Sequence, residues 1–394
     1  MSGPLAGIRV LELSRHLAGP FASMTLGDLG ADVIKVEPRI RGDDTRGYPP
    51  FWNGESTYYL SANRNKRSIT LDLGTTEGQE VARALVAKSD ILIENFRPGT
   101  PERWGLGYEH LREINPRLIY CAISAVGSNG PDRDRAGVDL LMQAYAGLMS
   151  ITGDEHGAPV RVGTSVVDLT AGANAVQGIL AALYIRERTG QGQRVESSLL
   201  EGQISWLTYH AVAYLASGEV PGRLGSFHAS VAPYGAFPTG DGYLVVAVAT
   251  DALWRRFCGA IEQPDLVTDP RFATNIDRCA NRDALHQTLV PILAARGAVD
   301  WAVAMDAAGV PCSPVNSIDT VLGLPQSQYR EMVVDIPRAD LPGLRLPGVA
   351  IKLSDTPGSV RTPPPRLGEH TDEVLTELGY DGERISSLRE KNVV

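Results

Sequence analysis

The sequence predicts an α/β protein in which a large domain, built on a doubly wound parallel sheet, is followed by a smaller α+β unit. Three observations carry this. Strand-like and helix-like stretches alternate over residues 8–123. A strand, a helix and a strand within about 30 residues make a βαβ unit, whose right-handed crossover gives a parallel sheet. The chain's 394 residues are enough for two domains with a large core. Finally, the alternation stops after residue 229, where a hairpin and helical segments replace it.

Residues 8–13 (IRVLEL) read as the first strand, 14–20 as a loop, 21–29 as a short helix stopped at Gly30, and 32–36 (DVIKV) as the second strand. A strand-like ITLDL (69–73), a helix over 76–88, a strand at 91–93, a helix over 108–114 and a strand at 118–123 continue the pattern. A helix over 140–149 precedes a β-like segment at 164–167. Next comes a buried helix, because Leu169, Ala173, Val176, Ile179, Leu180, Leu183 and Ile185 recur at helical spacing. Arg186, Arg188 and Gly190 close it, with cations in the last turn and a glycine just beyond. Residues 194–199 read as a strand, 200–216 as an apolar helix and 218–225 (GEVPGRLG) as a boundary.

In the smaller unit, residues 233–248 form a hairpin turning at Gly240-Asp241-Gly242. Helices are expected over 251–261, 283–294 and 300–308, and the segment 310–316 ends the unit. Residues 332–336 and 348–353 are strand candidates, and PPPRLGEHT (363–371) leads rigidly into a helical tail over 372–389. That tail is expected to pack back on the first domain. The expected division is therefore 1–217 for the first part of the large domain, 226–325 for the small domain, and 326–394 for the return.

A net charge of −9 argues against non-specific nucleic-acid binding, which needs a basic face. No apolar run approaches the roughly 18 residues of a membrane span, so no membrane partner is expected. The opening MSGPLAGIRVLEL lacks the basic and apolar regions of a secretory signal. Cys121, Cys258, Cys279 and Cys312 are widely spaced and form no CxxC, as expected of reduced thiols in a cytoplasmic protein. No metal-ligand cluster is present in the sequence, and no metal is expected.

Asp168 is the only carboxylate in 160–185, the stretch the rest of the chain surrounds. It reads as a helix N-cap, a position that favours Asp. The same position suits a carboxylate nucleophile, since the helix dipole and free N–H groups hold it ionised. A dinucleotide-binding dehydrogenase would need G-x-G-x-x-G after the first strand. Here that strand meets Ser14-Arg15-His16-Leu17-Ala18-Gly19-Pro20, and the dehydrogenase reading fails. Two cationic loops, 35–46 with Arg39, Arg41 and Arg46 and 61–70 with Arg64, Lys66 and Arg67, stand out in an acidic chain. They read either as a solvated surface or as a site for a phosphorylated ligand at strand ends. In ENFRPGTPERWGLG (94–107), Asn95, Phe96, Arg97, Arg103 and Trp104 combine flat faces with fork donors, which suits adenine and phosphate. The long loop 124–139 has the length of a functional one.

Together, LAGIRVLELSRHLAGPFASMTLGDLGADVIKVEP, NRNKRSITLDL, ILIENFRPG, GTSVVDLTAGANAVQGILAALYIRERTGQGQ and PPPRLGEHTDEVLTELGY resemble the class III (CaiB/BaiF-type) CoA-transferases, nearly end to end and in order. The resemblance implies a Rossmann-like large domain built from both ends of the chain, a small domain, and an interlocked homodimer. It places the catalytic aspartate at Asp168, which would be acylated and then carry CoA as a thioester. It also implies no permanently bound cofactor, with CoA belonging to donor and product. The family's CoA contacts carry over to His16, Leu17 and Ala18, to Leu71, Asp72, Leu73 and Gly74, to Asn95, Phe96, Arg97, Arg103 and Trp104, and to Ala136 and Asp139. Where the family has a glutamine, a strand-end arginine and a lysine, this chain has Leu17, Pro38 and Ala136, and Arg39 is expected to take over the phosphate contact. GRLGSFHAS (222–230) replaces the glycine-rich loop of formyl-CoA transferases, which speaks against formate or oxalate.

The alternative within the fold is an α-methylacyl-CoA racemase, which needs a histidine in Gly-His-Asp as proton shuttle. This chain has Gly137-Val138-Asp139. A carnitine-type acyl-CoA transferase is the other alternative. The segment GSFHASVAPYGAF (225–237) resembles transferases of succinyl-type dicarboxylates. Ser226, His228 and Ser230, with Arg223 adding charge, are the expected contacts for a distal carboxylate. His228 also reads as an ordinary hydrogen-bonded linker residue.

Overall fold

In the computed structural model, which describes residues 3–394, β-branched runs become six strands: β1 (Arg9–Glu12), β2 (Asp32–Glu37), β3 (Lys66–Thr70), β4 (Ile91–Glu94), β5 (Ile119–Ser124) and β6 (Arg194–Ser198). All are parallel, in the order β3-β2-β1-β4-β5-β6. The order reverses between β1 and β4, so ligand crevices open beyond the carboxyl ends of these strands. The helices of this unit are α1 (Ala18–Asp28), α2 (Thr57–Ala62), α3 (Thr76–Ala87), α4 (Tyr108–Ile114), α5 (Asp139–Tyr145) and α6 (Val166–Thr189). Then follow α7 (Leu199–Trp206) and α8 (Thr208–Ser217).

Alternation along each strand sends side chains to two cores. Val10, Val33, Ile91, Ile93 and Cys121 meet α1 and α6 on one face. Leu11, Ile34, Ile69, Leu92 and Tyr120 meet α3 and α4 on the other, where Val374, Leu375, Ile385 and Leu388 of the C-terminal tail also pack. Helix α6 is long and apolar enough to cross a membrane, contrary to the sequence expectation, yet half of its apolar window is buried, as in a core helix.

Contacts divide the chain into two units. One holds the chain up to Leu148, Val162–Val212 and Pro325–Val394; the other holds Met149–Arg161 and Ala213–Leu324. The expected boundaries therefore differ in two places: Met149–Arg161 joins the second unit, and that unit resumes at Ala213 rather than after 217. Arg223 explains the first: its guanidinium donates to the carbonyls of Asp154 (3.1 Å) and Gly157 (2.7 Å), tying that turn to the second unit. Arg223, expected to add charge for a substrate, is held here by backbone carbonyls. The second unit contains an antiparallel sheet of β7 (Tyr234–Pro238), β8 (Tyr243–Ala247) and β9 (Cys312–Pro314). Its core is aromatic, built on Phe237, Trp254, Phe257, Phe272 and Trp301. Its helices include α9 (Asp251–Ala260), α10 (Asn275–Ala280), α11 (Arg282–Leu293) and α12 (Ala298–Ala307).

Three local expectations are corrected. Residues 164–167 form no strand, because α6 already begins at Val166. The helix expected over 200–216 is two helices, broken where Thr208 takes φ +40°, outside the helical range. The strand expected at 348–353 lies earlier: β10 (Val333–Asp335) pairs with β11 (Arg345–Pro347), after which the chain turns away. The tail ends in α13 (Thr371–Glu377) and α14 (Gly382–Glu390).

Candidate active site

Ser165 takes the N-cap position of α6, and Asp168 occupies the third residue of the helix rather than the cap. The first turn is fixed from α5. The Asp139 carboxylate accepts the Val167 N–H at 2.9 Å and the Gln143 amide at 2.6 Å, while Gln143 accepts the Val162 N–H at 2.9 Å. The Val166 N–H turns to the Thr164 carbonyl. Asp139 thus uses an N-terminal amide that the sequence reading assigned to Asp168. The result is opposite to the expected one: burial first, and the Asp139 carboxylate second, push Asp168 up to about 7. A half-buried carboxyl poised near neutrality is a site signature rather than a surface ion pair.

Tyr58, from α2, faces this pair. Its phenol neighbours the Ser165 side chain and the Asp168 and Asp139 carboxylates, and burial, with those charges, raises its pKa. Its ring packs edge-on against Tyr48 with centroids 5.6 Å apart, and Tyr48 lies 6.4 Å from the His16 ring. Sequence reasoning missed Tyr58, which lies 110 positions from Asp168 in a stretch without a recognisable pattern.

The loop at the end of β1 lies beside Asp168 because of a glycine. Gly172 follows Asp168 by one turn, and a Cβ there would sit 2.6 Å from the Ala18 carbonyl oxygen. Only glycine lets α1 approach α6 this closely. His16, Leu17 and Ala18 lead into α1, with Leu17 at its N-cap and no side-chain cap.

Beyond the ends of β1, β2, β3 and β4 lies a cavity of about 530 Å³. It gathers Arg39, Leu71, Asp72, Leu73, Gly74, Phe96 and Trp104 from the sequence-derived set, together with Arg15 and Arg41. Phe96 and Trp104 pack edge to face, centroids 5.0 Å apart. The other candidates sit elsewhere. Asn95 gives its amide to the turn, accepting the Arg15 N–H (2.9 Å) and donating to the Arg15 carbonyl (2.8 Å). Arg103 is exposed and donates to Thr100. Arg97 lines a separate cavity of about 300 Å³ beside the buried Glu94, which burial raises to about 7. Ala136 is exposed in the loop before α5.

In the second unit, Ser226 and Ser230 are exposed and His228 is half-buried. His228 Nδ1 accepts the Ser230 N–H at 3.1 Å, which leaves the proton of a neutral ring on Nε2. Ser226 Oγ accepts the Ala236 N–H. Arg282 donates to the carbonyls of both His228 and Ala229 at 2.9 Å, and Asn275 to that of Ser230. These clamps were not legible in the sequence.

A sequence profile of CoA-transferase family III matches residues 5–371. The succinyl-CoA:glutarate CoA-transferase of Mus musculus is 42% identical over 391 residues, spanning 98% of this chain and 89% of the mouse protein. The succinate–glutarate CoA-transferase of Agrobacterium fabrum is 42% identical over 385 residues, spanning 95% and 96% of the two chains. Among solved structures, a CaiB/BaiF family protein from Brucella suis aligns with a TM-score of 0.88 at 39% identity, covering 96% of this chain and 100% of that one.

Proposed function

This chain belongs to CoA-transferase family III, and from that premise we propose that it moves CoA from succinyl-CoA, or a similar dicarboxylyl-CoA, to a free dicarboxylic acid through Asp168. The observation that carries the reading is Asp168 itself: a half-buried carboxyl with no cation among the causes of its shift, one helical turn from the contact between Gly172 and the Ala18 carbonyl. Its ionised form attacks the thioester carbonyl of the donor, expelling CoA thiolate and leaving a mixed anhydride. The thiolate then attacks the Asp168 carbonyl, the donor acid leaves as its carboxylate, and an aspartyl-CoA thioester remains. The acceptor carboxylate attacks that thioester and the steps reverse, which returns Asp168 as a carboxylate. Each step exchanges one acyl bond for another, so the activation of the thioester is retained without ATP. The Tyr58 phenol, which feels the Asp168 charge, is the proposed donor to an oxyanion formed at Asp168.

The Rossmann-like domain would take the CoA nucleotide in the cavity of Arg39, Phe96 and Trp104, where two edge-packed rings and nearby guanidinium groups suit adenine and phosphates. The mouse and Agrobacterium relatives are named as CoA-transferases of succinyl-CoA or succinate and glutarate. For this chain we propose glutarate or a four- to five-carbon diacid such as malate, citramalate, itaconate or mesaconate as acceptor. His228 is the proposed contact for the distal carboxylate. Exposed Leu180, Tyr184 and Ile185 of α6, with Trp206 of α7 and Tyr209 of α8, support a homodimer. Light scattering at micromolar concentration tests that assembly; a monomer contradicts it.

The decisive assay mixes the protein with succinyl-CoA and a panel of free acids, reads the acyl-CoA products by mass spectrometry, and searches acid-quenched digests for CoA on the Asp168 peptide. Release of dicarboxylyl-CoA products with CoA on that peptide supports the proposal. Exchange restricted to monocarboxylates, or CoA attached elsewhere, overturns it. His228→Ala is expected to raise KM for diacids about tenfold while sparing monoacids, the size of one lost charge-assisted hydrogen bond.

A further inference from the structure

Between β1, β2 and β3 lies a cluster of buried charge that the chemistry above does not use. Glu12, Ser14, Lys35, Glu37, Asp43 and Thr45 have no exposed surface. The Lys35 ammonium is the hub, 3.0 Å from Glu12, 2.9 Å from Asp43 and 3.1 Å from the Ser14 carbonyl oxygen it donates to. Asp43 faces two ways. One oxygen pairs with Lys35, and the other accepts the His16 N–H at 3.2 Å along with the amide and hydroxyl of Thr45.

His16 is held in a conformation that a side chain resists: its φ is +68°, in the left-handed region that glycine favours. Such backbone persists only where the surroundings determine it fully. Here the surroundings are Asp43 on the His16 N–H and Asn95 on both the N–H and the carbonyl of Arg15. The residues that follow, Leu17 and Ala18, open α1, and the Ala18 carbonyl is the group that seats against Gly172 beside Asp168.

We propose that Asp43, anchored by Lys35, is a positioning residue for acyl-CoA binding: together with Asn95 it locks His16 in the left-handed turn that presents Leu17 and Ala18 to the ligand next to Asp168. The inference rests on the CoA-thioester reading above. It assigns the buried cluster a task beyond stability, since among the described residues the backbone amide that Asp43 grips from outside its own loop is that of the strained residue.

A double-mutant cycle between Asp43→Asn and His16→Gly in the full chain tests it, with donor KM, kcat and calorimetric CoA affinity as readouts. Asp43→Asn keeps the shape but loses the charge that Lys35 anchors. It is expected to raise donor KM and weaken CoA binding about 10- to 50-fold, with kcat changed less than about threefold, as when a binding loop is displaced. In the His16→Gly background the left-handed turn carries no penalty, so the same substitution is expected to lose most of that effect. A purely structural role for Asp43 gives no such coupling. Asn95→Ala, which frees the other side of the turn without touching a buried charge, is expected to couple to His16→Gly in the same way and serves if Asp43→Asn does not fold. Additive effects on a measured affinity overturn the clamp. If the wild-type chain binds no CoA thioester, the clamp and the ligand reading fall together.

Discussion

Two groups of carboxylates in the same unit meet opposite fates. At the ends of β1 and β2, Glu12, Glu37 and Asp43 lie with Lys35, Lys66 and Arg46. Burial alone would raise all three acids, yet Lys35 and Lys66 around Glu12, Arg46 beside Glu37, and Lys35 beside Asp43 outweigh it and hold them low. At the start of α6, burial acts on Asp168 with another acid, Asp139, as its neighbour, and the carboxyl rises to about 7. Buried charge that is paired builds structure; buried charge left unpaired is available for chemistry. The difference lies in which side chains the fold brings alongside, since both groups are withdrawn from water.

The largest break in this comparison comes from Asp168→Asn. CoA transfer should fall by about a thousandfold or more, because an amide cannot form the anhydride. Stability should move the other way. With a folded pKa near 7 and an unfolded value near 4, wild-type Asp168 favours the fold fully below about pH 4 and loses that contribution as pH rises to about 7. The variant should therefore be more stable than wild type above pH 7, on the order of 1–4 kcal/mol, with the gap closing towards pH 4 in urea titrations.

Lys35→Met should do the reverse in the paired group. It leaves Glu12 and Asp43 buried without their shared cation, and about 3–5 kcal/mol of stability should vanish in denaturant unfolding at pH 7. Because the two acids then take up protons, part of the loss should return as pH is lowered.

A smaller change sharpens the unpaired side. Asp139→Asn removes the like charge beside Asp168 while leaving an oxygen for the Val167 N–H. The rise of kcat/KM with pH, centred near 7 in wild type, should move to lower pH by about one unit, with stability changed by about 1 kcal/mol. An unmoved profile would show that burial alone sets the value. The smallest effect belongs to an exposed pair: Arg112→Ala, which removes the 3.2 Å contact with Glu109, should cost less than about 0.5 kcal/mol.

Much of this was legible in the sequence. The alternation that gives six parallel strands, the glycine that ends α6, and Asp168 as the only acid in its stretch are local patterns, and local patterns survive without neighbours. The cavity of Arg39, Phe96 and Trp104 was reachable because strand-end loops in an open sheet face a common crevice. What stayed hidden joins distant positions. Tyr58 and Asp139 flank Asp168 across 110 and 29 residues, Asp43 grips His16 across 27, and Arg223 reclaims the turn at Asp154 across 69.

The sequence by itself determined the order of strands and helices and the family, and singled out Asp168 as the candidate carboxylate, because periodicity, turn residues and motif spacing are properties of neighbouring residues. Only the tertiary structure decided the state of that carboxylate. The helix end at Val167 gives its N–H to Asp139, and burial with a second acid leaves Asp168 half protonated near pH 7. Electrostatic energy depends on distance through space and on exclusion of water, and neither is written in the order of residues along a chain.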